Sequence, residues 1–285
     1  MKLLRFGPRG REKPGLLDPD GIPRDASAIA PDYTPAFFAN GGPAAFTHLD
    51  PTSLPAVRPG TRLGPPIDQP RKILCIGLNF ADHAAETGSP VPDEPVVFMK
   101  PASAINGPTD PIVFPRDATR VDWEVELAVV IGQPAKELPD DADVTPHIAG
   151  YCIANDVSER VFQKQRGGGQ WTKGKGCDTF LPLGPYLVTP DDPALPPIHA
   201  LEMTTHVNGD RRQTGSPRTM IFSIPHLIRH LSGFFTLEPG DLLLTGTPPG
   251  VGAGMTPPQF LQPGDQLTLA ITALGQQHST CRAPV

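Results

Sequence analysis

The chain lacks any apolar run of membrane-spanning length, and residues 1–7 lack the apolar core of a signal peptide. It also lacks an excess of positive charge, since the formal net charge is -6 over 285 residues. Neither nucleic acid nor an anionic membrane attracts a chain of this charge. We therefore expect a cytoplasmic protein that binds a small molecule and has no nucleic-acid or membrane partner.

Cysteine is scarce, and several common site motifs are missing. The widely spaced cysteines form no CxxC pair, so the sequence indicates neither a disulfide framework nor a zinc ribbon, and we expect reduced thiols. The glycines at 167–169 have neither GxxxxGK[ST] nor GxGxxG around them, so they do not predict a phosphate loop. His226 and His230 lack an HExxH frame, and we expect them at the surface or at an interface. The four cysteines are Cys75, Cys152, Cys177 and Cys281.

Proline and glycine are abundant, at 38 and 29 residues, and are scattered between short apolar runs. This pattern predicts many short elements joined by turns and favours a β-rich fold. We expect a small amino-terminal domain over 1–68, with a proline-rich connector at 55–70, and a larger catalytic domain over 69–285. The clearest helix is predicted over 223–234, where apolar residues recur at helical spacing.

The stretch 121–132 predicts a strand with an acidic face. Because side chains alternate along a strand, Asp122, Glu124 and Glu126 share one face, roughly 7 Å apart. Such carboxylates repel one another in a partly dry setting unless a cation lies between them, although a solvated edge strand is the alternative. Asp156 follows the next apolar strand and would complete an oxygen site with Glu124 and Glu126. Oxygen ligands favour Mg²⁺ or Mn²⁺ over zinc.

A short helix is predicted over 78–88, and it carries a candidate general base. His83 and Glu86 are three residues apart and share a face. A carboxylate beside an imidazole orients it and raises its basicity, as activation of water requires, while an exposed surface pair is the alternative. Lys173 and Lys175 lie in a glycine-rich segment that we expect to be mobile. Either could meet an anionic substrate, although most lysines in such loops are only solvated.

Six segments, in this order and spacing, resemble the fumarylacetoacetate hydrolase family, also called acylpyruvase-like, over roughly residues 70 to 282. The amino terminus, MKLLRFG followed by KPGLLD, is similar to a subgroup of diketo-deoxy-sugar-acid hydrolases, such as the 2,4-diketo-3-deoxy-L-fuconate hydrolases, whose members are also named ureidoglycolate lyases. The segments are 76–83 (IGLNFADH), 123–127 (WEVEL), 155–160 (NDVSER), 174–180 (GKGCDTF), 220–224 (MIFSI) and 240–252.

The resemblance implies an α+β, β-rich fold: a mixed β-sandwich roll with a small amino-terminal domain, in a homodimer. It also implies a site with three kinds of residue. A divalent cation, Mg²⁺ or Mn²⁺ with Ca²⁺ able to substitute in a crystal, would be held by Glu124, Glu126 and Asp156. Catalysis would use His83, Glu86 and Lys175. The substrate would be positioned by Arg160, Gln163 and Thr247.

The activity implied by the resemblance is hydrolysis of the C3–C4 bond of a 2,4-dioxo acid, with release of pyruvate. Decarboxylation or isomerisation at the same metal, or ureidoglycolate lyase activity, are alternatives. A non-catalytic dimer with a structural ion is an alternative of another class. One departure from the family pattern is Pro249, which stands where some acylpyruvases have lysine. A basic contact to the substrate would then be missing.

Overall fold

The computed structural model describes residues 1–86 and 90–284, apart from the side chains of His83 and Ala84. The helices are α1 (Pro35–Ala39), α2 (Ala81–Glu86), α3 (Arg160–Lys164), α4 (Thr172–Lys175) and α5 (Ile224–Ser232). The strands are β1 (Lys2–Phe6), β2 (Lys13–Leu17), β3 (Pro23–Asp25), β4 (Leu63–Gly64), β5 (Ile73–Gly77), β6 (Val96–Met99), β7 (Ile105–Asn106), β8 (Ile112–Val113), β9 (Val121–Asp122), β10 (Val125–Ile131), β11 (Ile148–Asn155), β12 (Ser158–Glu159), β13 (Leu181–Pro182), β14 (Leu187–Val188), β15 (Met203–Val207), β16 (Asp210–Gly215), β17 (Leu242–Leu244), β18 (Gln266–Ile271) and β19 (Gly275–Arg282).

Two mixed sheets dominate the described residues. The larger has the order β3-β2-β1-β14-β11-β10-β17-β5-β6, with β4 also pairing with β1. The second has the order β16-β15-β18-β19-β8. Most neighbours are antiparallel, whereas β17 with β5 and β19 with β8 are parallel. The expected α+β, β-rich fold is confirmed, because short strands far outnumber the short helices.

Strand β10 lies at the centre of the larger sheet and is buried on both faces. Val125, Leu127 and Val129 join an apolar core that also includes residues of β18 and α5. Ala128 and Val130 point the other way, into a second core that contains aromatic residues of the amino-terminal segment. The alternation expected of a strand is therefore present, and it fixes which face of β10 carries Glu126.

The strand expected over 121–132 is interrupted, which corrects the sequence-based interpretation. Trp123 and Glu124 belong to no strand, and side-chain oxygens take the place of backbone carbonyls as acceptors for their amides. Asp122 Oδ1 accepts from the Trp123 amide at 2.9 Å, and the Glu124 amide donates to Asn155 Oδ1 at 3.1 Å. Residues on either side of the break pair with different partners: β9 with β12 and β10 with β11.

The amino-terminal strands extend the larger sheet. Strand β1 pairs with β14 as well as with β2 and β4, so the sheet continues across position 69. Strands β2 and β3 form a hairpin, and Asp18 Oδ1 closes its turn by accepting from the Asp20 and Ile22 amides. The division into domains 1–68 and 69–285 stays a prediction.

Helix α5 confirms the helix predicted over 223–234, although it ends two residues earlier. Ser223 caps it by accepting from the His226 amide at 3.4 Å. His226 is exposed and stacks between Phe222 and His230, as expected for a surface histidine. Among the described residues, no helix combines the length and the apolar character that a membrane crossing requires.

Candidate functional site

Three carboxylates meet at one end of β10. Glu124, Glu126 and Asp156 are buried, and each offers an oxygen within 4.8 Å of the others. The pairing explains this meeting, because β10 and β11 are antiparallel and Glu126 lies opposite Ala154. The start of β10 and the end of β11 therefore share an edge of the sheet, which brings Asp156 to the two glutamates. The three residues together are called the carboxylate cluster below.

Two buried lysines neutralise part of the carboxylate cluster. Lys175 Nζ donates to Glu124 Oε2 at 2.7 Å and to Asp156 Oδ2 at 2.6 Å. Lys100 Nζ donates to Asp156 Oδ1 at 2.6 Å. The expectation of a mobile, solvated loop is wrong for Lys175, which ends α4 and is only 2% exposed, whereas Lys173 is exposed.

Arg160 joins Asp122 to the carboxylate cluster. Its Nη2 lies 2.7 Å from both Asp122 Oδ2 and Glu124 Oε1, and its Nη1 donates to Gln163 Oε1 at 3.1 Å. Glu159 fixes the start of α3 by accepting from the Phe162 amide at 2.6 Å. Asp122 thus contacts the cluster through Arg160, in keeping with a supporting role rather than a ligand role.

The glycine-rich loop 245–254 binds the site's own acids. The Gly246 amide donates to Glu126 Oε2 at 2.8 Å, and the Gly252 amide donates to Asp122 Oδ1 at 2.7 Å. The Gly250 amide donates to Glu86 Oε1 at 2.9 Å. A Cβ at position 252 would lie 2.8 Å from Asp122 Oδ1 and closer still to a backbone oxygen, so glycine is required there.

Only one residue of the predicted general base, Glu86, has a side chain among the described residues. Helix α2 carries Glu86, which is half-buried and accepts from the Gly250 amide. The side chain of His83 lies outside the described residues. The His83–Glu86 pair therefore stays a prediction, but loop 245–254 does connect Glu86 to Glu126 of the carboxylate cluster.

The electrostatics of the cluster fit a hard divalent cation. Burial raises the pKa of Glu126 well above its usual range, and repulsion from Asp156 and Glu124 adds to this. Burial disfavours the charged form of Lys175, but attraction by Asp156 and Glu124 outweighs it and raises the pKa of the ammonium. A carboxylate oxygen can accept at more than one lone pair, so the lysine contacts leave room for ligation. A divalent cation would offset the charge that Glu126 carries when ionised.

A cavity of about 130 Å³ adjoins the carboxylate cluster. Gln163, Thr247 and Lys175 line it, and so do Phe98 and Trp171, whose ring centroids are 5.2 Å apart. The Thr247 hydroxyl donates to the Val125 carbonyl and accepts from Gln213, so its hydrogen-bonding capacity is largely used within the protein. A larger cavity of about 590 Å³ lies elsewhere and does not adjoin the cluster.

Two buried residues of the site were not predicted. Lys100 is 3% exposed and follows β6, where a lysine directly after an apolar run was the available signal. Gln213 is 1% exposed, and its side chain bonds the Val125 amide and Thr247. No local pattern marks Gln213, because its partners are 88 and 34 residues away.

Comparison with known proteins identifies the family. Residues 72–282 match the model of the fumarylacetoacetate (FAA) hydrolase C-terminal family, and the chain belongs to that family. A protein of Burkholderia multivorans, provisionally named a hydrolase with no stated substrate, is 51% identical over 284 residues, which is 99% of each chain.

Solved structures agree with this assignment. A fumarylacetoacetate hydrolase from psychrophilic Exiguobacterium antarcticum superposes with a TM-score of 0.87 at 35% identity, covering 99% of both chains. A 5-carboxymethyl-2-hydroxymuconate delta-isomerase from Mycobacterium smegmatis has a TM-score of 0.76 at 34% identity, covering 99% of this chain and 100% of the other. The chain is thus similar to proteins that are named for different reactions on one fold.

Proposed function

We propose that the chain is a metal-dependent hydrolase that cleaves the C3–C4 bond of a 2,4-dioxo acid and releases pyruvate. The observation that carries this proposal is the carboxylate cluster, buried with Lys100 and Lys175 beside a cavity. In a member of this family, a candidate metal site and buried cations beside a cavity favour an anionic substrate with several oxygen atoms.

Glu124, Glu126 and Asp156 would hold Mg²⁺ or Mn²⁺, since all three offer hard oxygen donors. The bound cation would supply Lewis-acid stabilisation of negative charge on the 2-oxo acid half of the substrate. Lys100 and Arg160 would keep the ligand side chains in place through their ion pairs with Asp156 and Glu124.

Lys175 would donate to the oxygen on which negative charge develops. It is buried and held in one orientation by two carboxylates, so little reorganisation is needed during the reaction. Arg160 and Gln163 would position the substrate from α3, which Glu159 anchors. Thr247 would act by shaping the cavity wall, given that its hydroxyl is bonded to Val125 and Gln213.

The His83–Glu86 pair would act as the general base. The imidazole takes a proton from water, whose oxygen adds to C4 of the substrate. The C3–C4 bond then breaks, and its electron pair goes to C3, which takes up a proton to give pyruvate. The C4 carbon leaves as a carboxylic acid. Water is thus consumed, and no oxidant or reductant is needed.

Isomerisation or decarboxylation is the second candidate, because a relative that is 34% identical is named as an isomerase. These reactions do not need an activated water. His83→Ala should therefore lower hydrolysis by about 10²- to 10⁴-fold and leave oxaloacetate decarboxylation much less affected. An equal loss of both reactions would argue against the assigned role of His83.

The test of the proposal is a panel of acylpyruvates and diketo-deoxy acids with products quantified. We expect equimolar pyruvate and carboxylic acid from at least one substrate, and loss of both products after chelation of the metal. Consumption of a substrate without pyruvate, or no turnover of any member, would exclude the hydrolase assignment.

A further inference from the structure

Lys164 lies at the mouth of the cavity beside the carboxylate cluster. Among the described residues, no acidic side chain forms an ion pair with it. Lys164 ends α3 and lines the cavity together with Arg160 and Gln163. Residues three and four apart share a helix face, which explains why all three point the same way. Lys164 differs from Arg160 and Lys175, whose charges are balanced by buried carboxylates at 2.6–2.7 Å.

The charges around Lys164 favour an added anion. Partial burial lowers the pKa of its ammonium, and repulsion by the Arg160 guanidinium lowers it further. Glu124 and Asp122 attract the ammonium, each with a smaller effect than Arg160, and Lys175 repels it. An anion bound at the mouth would relieve the repulsion between two cations that lie one helical turn apart.

Apart from its charged residues and from Gln163 and Thr247, the cavity is lined by apolar and aromatic residues. Its walls include the rings of Phe98 and Trp171 and the side chains of Leu78 and Val251. Gln163 already accepts a bond from Arg160. A chain with several hydroxyl groups would leave many of them without partners against this wall, at a cost for each. A short apolar chain that ends in an anion fits both the walls and Lys164.

We propose that Lys164 binds a distal carboxylate of the substrate, which makes the substrate a 2-oxo dicarboxylic acid rather than a neutral or polyhydroxylated acyl chain. The orientation of the 2-oxo acid end towards the carboxylate cluster rests on the proposed function. Lys164 is in this view a specificity-determining residue, because it contacts the part of the substrate that does not react.

The kinetic test uses two 2,4-dioxo acids of equal chain length, one ending in a carboxylate and one in a methyl group. The wild type should prefer the carboxylate by kcat/KM. Lys164→Met should reduce that preference about ten- to a hundredfold, mainly through KM, because one charge-assisted hydrogen bond is lost. Lys173→Met is the matched control: it removes an equal charge from the exposed face of the neighbouring helix and should leave the preference unchanged.

A binding test separates this inference from the reaction itself. Calorimetry with Mg²⁺ would compare unreactive 2-oxo dicarboxylic acids of five to seven carbons with 2-oxo monocarboxylic acids of the same lengths. Tighter binding of a dicarboxylate by the wild type, lost in Lys164→Met but kept in Lys173→Met, supports the inference even if no dioxo acid is hydrolysed. Equal binding of both acid types, or an equal loss of both in Lys164→Met, overturns it even if hydrolysis is confirmed.

Discussion

The carboxylate cluster and the mouth of the adjoining cavity differ in how their charges are balanced. In the cluster, Glu124 and Asp156 each have cationic partners at 2.6–2.7 Å, and the side chains are almost fully buried. At the mouth, Lys164 is exposed and forms no ion pair with an acidic group of the described residues, and the rings of Phe98 and Trp171 line the same cavity. The charges of the cluster are balanced by side chains of the protein itself, whereas we propose that a ligand balances the charge of Lys164.

This difference separates the reaction from its specificity. Groups that must keep one geometry during catalysis are held by several partners, because small displacements are costly. Groups that choose among substrates can lie on a surface with few internal bonds. Relatives named as hydrolase and isomerase can share a fold on this basis.

The largest effect should come from the carboxylate cluster. Glu126→Gln removes a proposed ligand and should weaken Mn²⁺ binding by more than about 100-fold, since loss of an outer partner alone costs roughly 10–100-fold. Calorimetric titration of the chelator-treated protein would measure this. Asp110→Asn is the control, because Asp110 is a buried carboxylate paired with Arg62 outside the cluster. Equal Mn²⁺ affinity in Glu126→Gln and the wild type would contradict the site.

A second prediction concerns Lys100, which pairs with the carboxylate cluster and does not line the adjoining cavity. Lys100→Met leaves buried Asp156 with a single ion-pair partner and should lower the free energy of unfolding by roughly 3 kcal/mol. Urea denaturation in the presence of a chelator measures the loss. Lys136→Met removes an exposed pair with Glu137 and should cost less than about 1 kcal/mol. Similar losses in the two variants would show that Lys100 does not stabilise the cluster.

The smallest of these effects should come from the mouth. A Cβ at position 77 would lie 2.5 Å from Trp171 Cζ3, so Gly77→Ala should displace that ring. Because Trp171 is partly exposed and can move, we expect a loss below about 1 kcal/mol, less than for an overpacked core. The indole emission should shift, and the shift should vanish in a Trp171→Phe background, where Trp123 alone remains. An unchanged emission in Gly77→Ala would contradict the contact.

The sequence alone predicted the parts of the site that follow from local periodicity. The alternation expected over 121–132 placed Glu124 and Glu126 on one face, and the end of an apolar strand marked Asp156. The break at Trp123 and Glu124 could not be predicted, because it depends on Asn155 and on the Gly252 amide, which are distant in the chain.

Tertiary contacts account for the remaining differences. Residue patterns alone did not predict that Lys175 is buried, since a lysine in a glycine-rich segment is usually solvated. Its burial depends on ion pairs with Glu124 and Asp156, which are distant in the chain. Lys100 and Gln213 were not predicted for the same reason, because their partners are distant in the chain. The family resemblance supplied the role proposed for Lys175, but not the ion-pair network that holds it.

A combined metal titration tests the central claim most directly. Mn²⁺ would be added to chelator-treated wild type and to Glu126→Gln, while bound metal and the rate of pyruvate release from a 2,4-dioxo acid are measured in the same samples. We predict that in the wild type pyruvate release rises in proportion to bound Mn²⁺, and that Glu126→Gln shows neither at the same concentrations. Full pyruvate release before any metal is bound would contradict the account.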